Sequence, residues 1–319
     1  MPTKIEWTDE TYNPIVGCSK VSEGCANCYA ERMAVRLASM GELSLGRGER
    51  WTFCPQHPEY YGVVETTGLG QNGWNGKTAL VESVLDKPLH WRKPRRVFVG
   101  SMTDIFHPSV PDEWLNLVWA VMRKSSHYFL LLTKRPERMR DYIKKHVPVF
   151  SGHRIWLGVT TENQRCADER IPVLLQTPAA VRFVSVEPML EPVDIKNALR
   201  GYPEQTSARQ YVTHEMALDA GQPEREGELY SDDEWQQTCP PLNWVIVGCE
   251  SGPRRRPCPH EWMRNLIQQC RDAGVPCFVK QVAENEDGTG KVVHDPLPEW
   301  GVREWPDHIG DATKMIGGE

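Results

Sequence analysis

Arg96-Val-Phe-Val-Gly-Ser-Met-Thr-Asp104 is the stretch that decides the fold. Three apolar residues in succession read as a strand buried on both faces, as in a parallel sheet. The run stops at a glycine and gives way to Ser101, Met102, Thr103 and Asp104, mostly polar groups that a strand end presents. The same pattern repeats along the chain. Tyr128–Thr133 is followed by Lys134 and Arg135, Ile155–Glu162 ends in Thr160, Thr161 and Glu162, and Val181–Pro188 ends in Glu187 and its proline. Trp244–Gly252 ends in Glu250, Ser251 and Gly252, and Pro276–Gln281 ends in Lys280 and Gln281. A weaker run, Tyr12–Val16, comes first. Helical patterns lie between them: Tyr29–Met40; Pro111–Arg123, with Trp114, Leu117, Val118, Val121 and Met122 on one face; Cys166–Leu175; and His260–Asp272. Strands alternating with helices imply right-handed βαβ units. Six or seven such units predict an α/β parallel barrel, complete or partial, with chemistry at the C-terminal strand ends. A doubly wound open sheet is the other arrangement, but no glycine-rich dinucleotide fingerprint follows the first strand.

The first run leads into Cys18-Ser-Lys-Val-Ser-Glu-Gly-Cys25-Ala-Asn-Cys28. A closed zinc site takes four protein ligands, and a four-iron cluster commonly takes four cysteines. Three thiolates on a [4Fe-4S] cluster leave one iron open to a small molecule. Two other readings stand beside this one. The cysteines are ordinary core residues, against which the intervening Ser, Lys, Glu, Gly and Asn argue. Or they hold zinc with a fourth ligand such as His57, Cys54 or Cys258.

Composition sets the wider bounds. The 319 residues suffice for a large core, and α/β barrels of this length form one domain. The net charge of -6 excludes a whole-molecule attraction to nucleic acid. Ten cysteines in so long a chain do not make a small disulfide scaffold, and their clustering suggests metal binding in a reducing cytoplasm. The N-terminus has no apolar run of signal-peptide type, and no stretch approaches the length of a membrane span. Two segments depart from the pattern and read as irregular insertions, 41–95 and 197–241, the second polar and acidic. An irregular tail, 282–319, carries Trp300 and Trp305 as anchors.

The blocks NPIVGCSKVSEGCANCYAERMA (13–34), the segment 87–114, LLTKRPERM (131–139), GVTTENQ (158–164), VRFVSVEPML (181–190) and WVIVGCESGPRRRPC (244–258) together resemble the phage- and prophage-associated three-cysteine-motif proteins. That family is described as radical-SAM-like. The resemblance spans about Asn13–Gln281 apart from 197–241, and it implies a radical SAM type of barrel, a [4Fe-4S] cluster on Cys18, Cys25 and Cys28, and S-adenosylmethionine as cofactor. The gaps of six and two between the cysteines depart from the commonest radical SAM spacing of three and two. By the same resemblance, Gly100-Ser-Met-Thr-Asp104 takes the cofactor's amino group. The hydroxyls of Thr160 and Thr161 suit its carboxylate, and Glu162 its ribose.

Glu187, Glu250 and Lys280 are candidates for substrate binding or proton transfer, with structural ion pairs as the rival reading. Lys134, Arg135, Arg254, Arg255 and Arg256 suit an anionic substrate, a nucleotide or nucleic acid, against a plain solvated surface. The expected function is base or nucleotide modification or repair, with an electron donor. The alternatives are a zinc-dependent nucleic-acid-binding or hydrolytic protein of phage origin, and a non-catalytic module working with a separate partner protein.

Overall fold

The computed structural model describes residues 3, 5–45, 51–66, 72–147, 154–201, 241–294 and 300–306. The expected insertion 197–241 therefore lies almost wholly outside the described residues. The fold is mixed α/β around a mostly parallel eight-stranded sheet. In chain order the elements are β1 (Glu10–Tyr12), β2 (Ile15–Val16), α1 (Tyr29–Ala38), β3 (Gly41–Leu45), β4 (Trp51–Pro55), α2 (Pro58–Tyr61), β5 (Val64–Thr66), β6 (Asn72–Trp74) and β7 (Ala79–Leu80). Then come β8 (Arg96–Val99), α3 (Asp112–Lys124), β9 (Tyr128–Thr133), α4 (Pro136–His146), β10 (Ile155–Thr160), α5 (Gln164–Leu175) and β11 (Val181–Val186). The last are α6 (Lys196–Arg200), β12 (Trp244–Gly248), α7 (His260–Ala273), β13 (Cys277–Ala283) and β14 (Val292–Val293). The sheet order is β1-β8-β9-β10-β11-β12-β13-β14.

Two compact units divide the chain. The first runs to Trp156 and includes Ser251–Arg255; the second takes Leu157–Glu250 and continues from Arg256.

In the first unit β8 lies parallel to both β1 and β9, with Tyr12 opposite Val99 and Val99 opposite Leu131. The expected first strand, Tyr12–Val16, is two. Pro14 has no N–H to give a ladder, and Asn13 turns its side chain onto Ser101 and Met102. Beyond them β2 leaves the main sheet and pairs antiparallel with β7.

Helix α3 opens with Asp112 and Glu113 and closes with Arg123 and Lys124, charges that suit its dipole. It buries Leu115, Val118, Trp119, Val121 and Met122. The expected face is thus corrected: Leu117 is 45% exposed, and Leu115 and Trp119 point inward. Tyr142 of α4 meets Trp119 at 5.7 Å and Phe106 at 6.3 Å. At about 1.5–3 kcal/mol per fully buried large apolar side chain, this layer holds the helices to the sheet.

The segment 41–95 is less irregular than expected. It folds β3 against β4 and β5 against β6 as antiparallel pairs. Beneath the cysteine loop, Ala30, Ala34 and Ala38 recur every fourth residue of α1 and pack with Val16, Tyr60, Val63, Val64 and Met102.

In the second unit β12 lies parallel to β11 and β13, and β14 closes antiparallel on β13. Trp244 sits at its centre, fully buried. Trp305 stacks on it at 4.9 Å, and the indole N–H of Trp244 donates to the Glu304 carbonyl at 2.9 Å. Trp300 is buried as well, so both tail tryptophans pack where anchors were expected. Among the described residues, no helix is long and apolar enough to cross a membrane.

Candidate metal centre

The cysteine loop of the first unit begins at Gly17. This residue has φ +97°, and a Cβ there would lie 2.2 Å from the Lys77 carbonyl oxygen, so only glycine fits. Gly17 bridges in parallel to Thr103, its N–H donates to the Met102 carbonyl at 3.3 Å, and its carbonyl accepts from the Thr103 hydroxyl. The loop that carries the thiols is thereby fastened along the chain that leaves β8. Cys18 follows directly. Cys25 lies in a short 3-10 turn, and Cys28 occupies the N-cap of α1. All three are free and half-buried.

Asp104 is the hub beside them. Its Oδ1 accepts from the Thr133 hydroxyl at 2.7 Å and the Phe106 N–H at 3.1 Å. Its Oδ2 accepts from the Lys134 N–H at 3.1 Å and Arg135 Nη1 at 2.9 Å. A carboxylate has about four acceptor directions, and these donors fill them. Arg135 Nη1 also reaches Cys18 Sγ at 3.9 Å, and its Nη2 donates to the carbonyl and hydroxyl of Ser19, both at 3.0 Å. Burial works against the Arg135 charge, but Asp104 and Cys18 outweigh it and raise its pKa. Burial and the Asp104 carboxylate push the Cys18 thiol up to about 11, against the pull of Arg135. Burial, then Arg135, lowers the His107 pKa, with Asp104 opposing.

Asn13 braces the neighbouring turn. Its side-chain oxygen accepts from the Met102 N–H and the Ser101 hydroxyl, each at 3.1 Å, and the Tyr29 hydroxyl donates to the Ser101 carbonyl at 2.7 Å. The Gly100 N–H donates to the Tyr12 carbonyl at 2.9 Å. The ends of β1, β8 and β9 therefore converge on Cys18, as parallel strand ends should.

The donor set suits anionic sulfur. Arg135 directs an N–H at Cys18. Cys28 stands at a helix N-terminus, where negative charge is favoured. Ser22, between Cys18 and Cys25, has a buried hydroxyl without a hydrogen-bond partner among the described residues. A neutral Cys18 thiol binds metal only by giving up its proton, so loading is proton-linked. Of the suggested fourth zinc ligands, His57 alone belongs to the first unit with a described side chain. His57 pairs with Glu59 at 3.4 Å, Cys258 is fully buried in the second unit, and the Cys54 side chain lies outside the described residues.

Other expected site residues of the first unit are Lys134, Arg254 and Arg255. The Asn27 side-chain amide donates to the Arg254 carbonyl at 2.9 Å, one residue before Cys28. Gly252, φ +108°, lies so close to Arg32 that a Cβ would be 2.5 Å from its guanidinium.

In the second unit the carboxylates are paired. Glu162, fully buried, binds Arg170 Nη1 at 2.9 Å, and the same nitrogen donates to the Thr160 carbonyl at 2.7 Å. The Thr161 hydroxyl is buried without a hydrogen-bond partner among the described residues. Glu250 takes the Arg256 N–H at 2.8 Å and its Nε at 3.1 Å, and Glu187 is ion-paired with Lys280. Two cations read from sequence as phosphate grips are thus engaged inward: Arg135 with Asp104, and Arg256 with Glu250.

The sequence reading did not single out Asn13, Ser19, His107 or Arg170. Only Asn13 carried a signal, as the polar residue before a proline inside an apolar run. A family model described as "Protein of unknown function (DUF5131)" matches residues 2–302. No curated protein and no solved structure matches the chain.

Proposed function

Since the chain belongs to the DUF5131 family, whose description names no activity, we propose its function from the site: an enzyme in which Cys18, Cys25 and Cys28 hold a [4Fe-4S] cluster that binds S-adenosylmethionine, acting on a nucleotide or nucleic-acid base. One observation carries the reading. Three free thiols on one loop lie where parallel strand ends converge, with a buried guanidinium directed at the first of them. Such a cluster supplies one-electron reduction of a sulfonium bound at its open iron, and with it radical chemistry on a substrate. In this reading the sheet is a partial barrel of the radical SAM type, and the protein works in the cytoplasm with an electron donor.

The chain's own residues have narrower tasks. Asp104 and Arg135 fix the loop. The acceptor directions of Asp104 are filled, and the Gly100, Ser101 and Met102 carbonyls already accept from the Thr103 N–H, the Tyr29 hydroxyl and the Gly17 N–H, so the Thr103 carbonyl is left to receive the cofactor's amino group. Lys134 and Arg254 have no carboxylate partner among the described residues, which supports an anionic substrate. The Glu187–Lys280 pair, each side chain 17% exposed, is the second unit's candidate for proton transfer.

The test is anaerobic reconstitution with iron and sulfide. About four irons per chain are expected, with loss in Cys18→Ala, Cys25→Ala and Cys28→Ala. Stoichiometric zinc without iron, or full iron in Cys25→Ala, refutes the proposal.

A further inference from the structure

His107 is nearly fully buried between two serines. Its Nε2 lies 2.7 Å from the Ser19 hydroxyl and its Nδ1 2.8 Å from the Ser109 hydroxyl. The backbone N–H of Ser109 also points at Nδ1, at 3.1 Å. A backbone N–H only donates, so Nδ1 is the unprotonated nitrogen and the ring proton sits on Nε2. That tautomer bars His107 from acting as a base toward Ser19. It makes His107 a donor to the Ser19 oxygen instead. The same oxygen accepts from Arg135 Nη2. A hydroxyl has two lone pairs and one proton. Both lone pairs are occupied, and only the proton of Ser19 remains to be given. Among the described residues no protein group accepts it.

Two donor hydrogens are therefore left at the residues bordering Cys18: that of the Ser19 hydroxyl, on the next residue of the chain, and the second hydrogen of Arg135 Nη1, whose first goes to Asp104 and which lies 3.9 Å from the sulfur. We propose that Ser19 and Arg135, oriented by His107 and Asp104, supply hydrogen bonds to the anionic sulfur assembled at Cys18 and so set the reduction potential of the bound cluster. This rests on the cluster reading above. The reduced cluster carries one more negative charge, spread over its sulfurs, so donors aimed there favour reduction. Removing a donor lowers the potential.

The experiment is a redox titration of reconstituted wild type, Ser19→Ala, Ser19→Thr and Arg135→Lys, followed by electron paramagnetic resonance, with iron content measured on each sample. Ser19→Ala is expected to keep its iron and to shift the reduced-to-oxidised ratio at fixed poise by about three- to tenfold toward oxidised. At 59 mV per decade for one electron this is about 30–60 mV. Ser19→Thr, which keeps the hydroxyl, restores the wild-type value. If Ser19→Ala loses its iron, Arg135→Lys gives the decisive reading, with a shift in the same direction expected. Unchanged potentials at unchanged iron content overturn this inference and leave the cluster reading standing. Wild type without iron overturns the cluster reading, and the inference with it.

Discussion

Replacing Asp104 by Asn tests whether this residue is a structural hub or a ligand waiting for a cofactor. The amide has the shape of the carboxylate but offers one acceptor and one donor. Four donors surround the native group: Thr133 and Phe106 on one oxygen, Lys134 and Arg135 on the other. In either orientation the new NH2 faces donors. At least one buried N–H then goes unpaired, at about 1–3 kcal/mol. The Arg135 charge also loses its counter-ion, and both side chains are about nine-tenths buried. Breaking one side of a buried ion pair costs about 3–5 kcal/mol, a range that already includes much of the first loss. The expected destabilisation of the metal-free protein is therefore about 3–5 kcal/mol. Urea denaturation followed by tryptophan fluorescence would show a midpoint lower by about 1–2.5 M, for slopes of about 2–3 kcal/mol/M. A midpoint within about 0.3 M of wild type would refute the reasoning, since Asp104 would then be free to receive a ligand's donor.

Arg170→Met leaves Glu162 buried without its partner and should cost about 3–5 kcal/mol, while adding Glu162→Gln to it recovers at least part of the loss; a double-mutant cycle with no coupling would make Glu162 a ligand residue. The Arg138 hydrogen bond holds the Asp112 carboxyl below its usual range, against burial and with help from His146. Its folded pKa is depressed, so its contribution is full above the unfolded value of about 3.9 and is lost as pH falls through the folded value. Asp112→Asn is therefore expected to be less stable than wild type at pH 7 and to converge with it as pH falls through the folded value; a gap that stays constant as the pH is lowered would count against this linkage. Leu117→Lys should stay within about 0.5 kcal/mol of wild type and Trp119→Ala should cost about 3–5 kcal/mol, and thermal melts giving the reverse order would restore the face expected from sequence.

The sheet was legible because each central strand is an apolar run with polar ends. Tyr128–Thr133 begins and ends where the pattern does, and the runs from Val181 and Trp244 begin there too, although their strands stop at Val186 and Gly248, short of the polar residues read with them. Helix faces were less legible. The pattern around Leu117 fits either of two adjacent faces, and the position of the sheet chooses between them. Charge roles were least legible. Arg135 and Arg256 read as cations at strand ends, free to meet phosphate. Nothing local shows that Asp104, far away in sequence, will meet the first, or that the second turns back on Glu250. The break at Asn13-Pro14 could have been read, since a proline inside a run removes a ladder donor. The cysteines stood out by spacing, but their setting did not. Ser19 and His107 reach each other only after β8 and the loop lie side by side.

The placement of Ser251–Arg255 in the first unit bears on how the chain is made. Synthesis delivers Met1–Trp156 and then the second unit's Leu157–Glu250 before the residues that face Asn27 and Arg32 exist. At about 5–20 residues per second, those roughly ninety intervening residues take about 5–20 s. For that interval the nascent first unit has its three thiols but not the strap beside Cys28. The ribosome thus imposes an order of assembly, with the cysteine loop formed early and bordered late, and a gene fragment ending at Trp156 would stop the process at its unfinished stage.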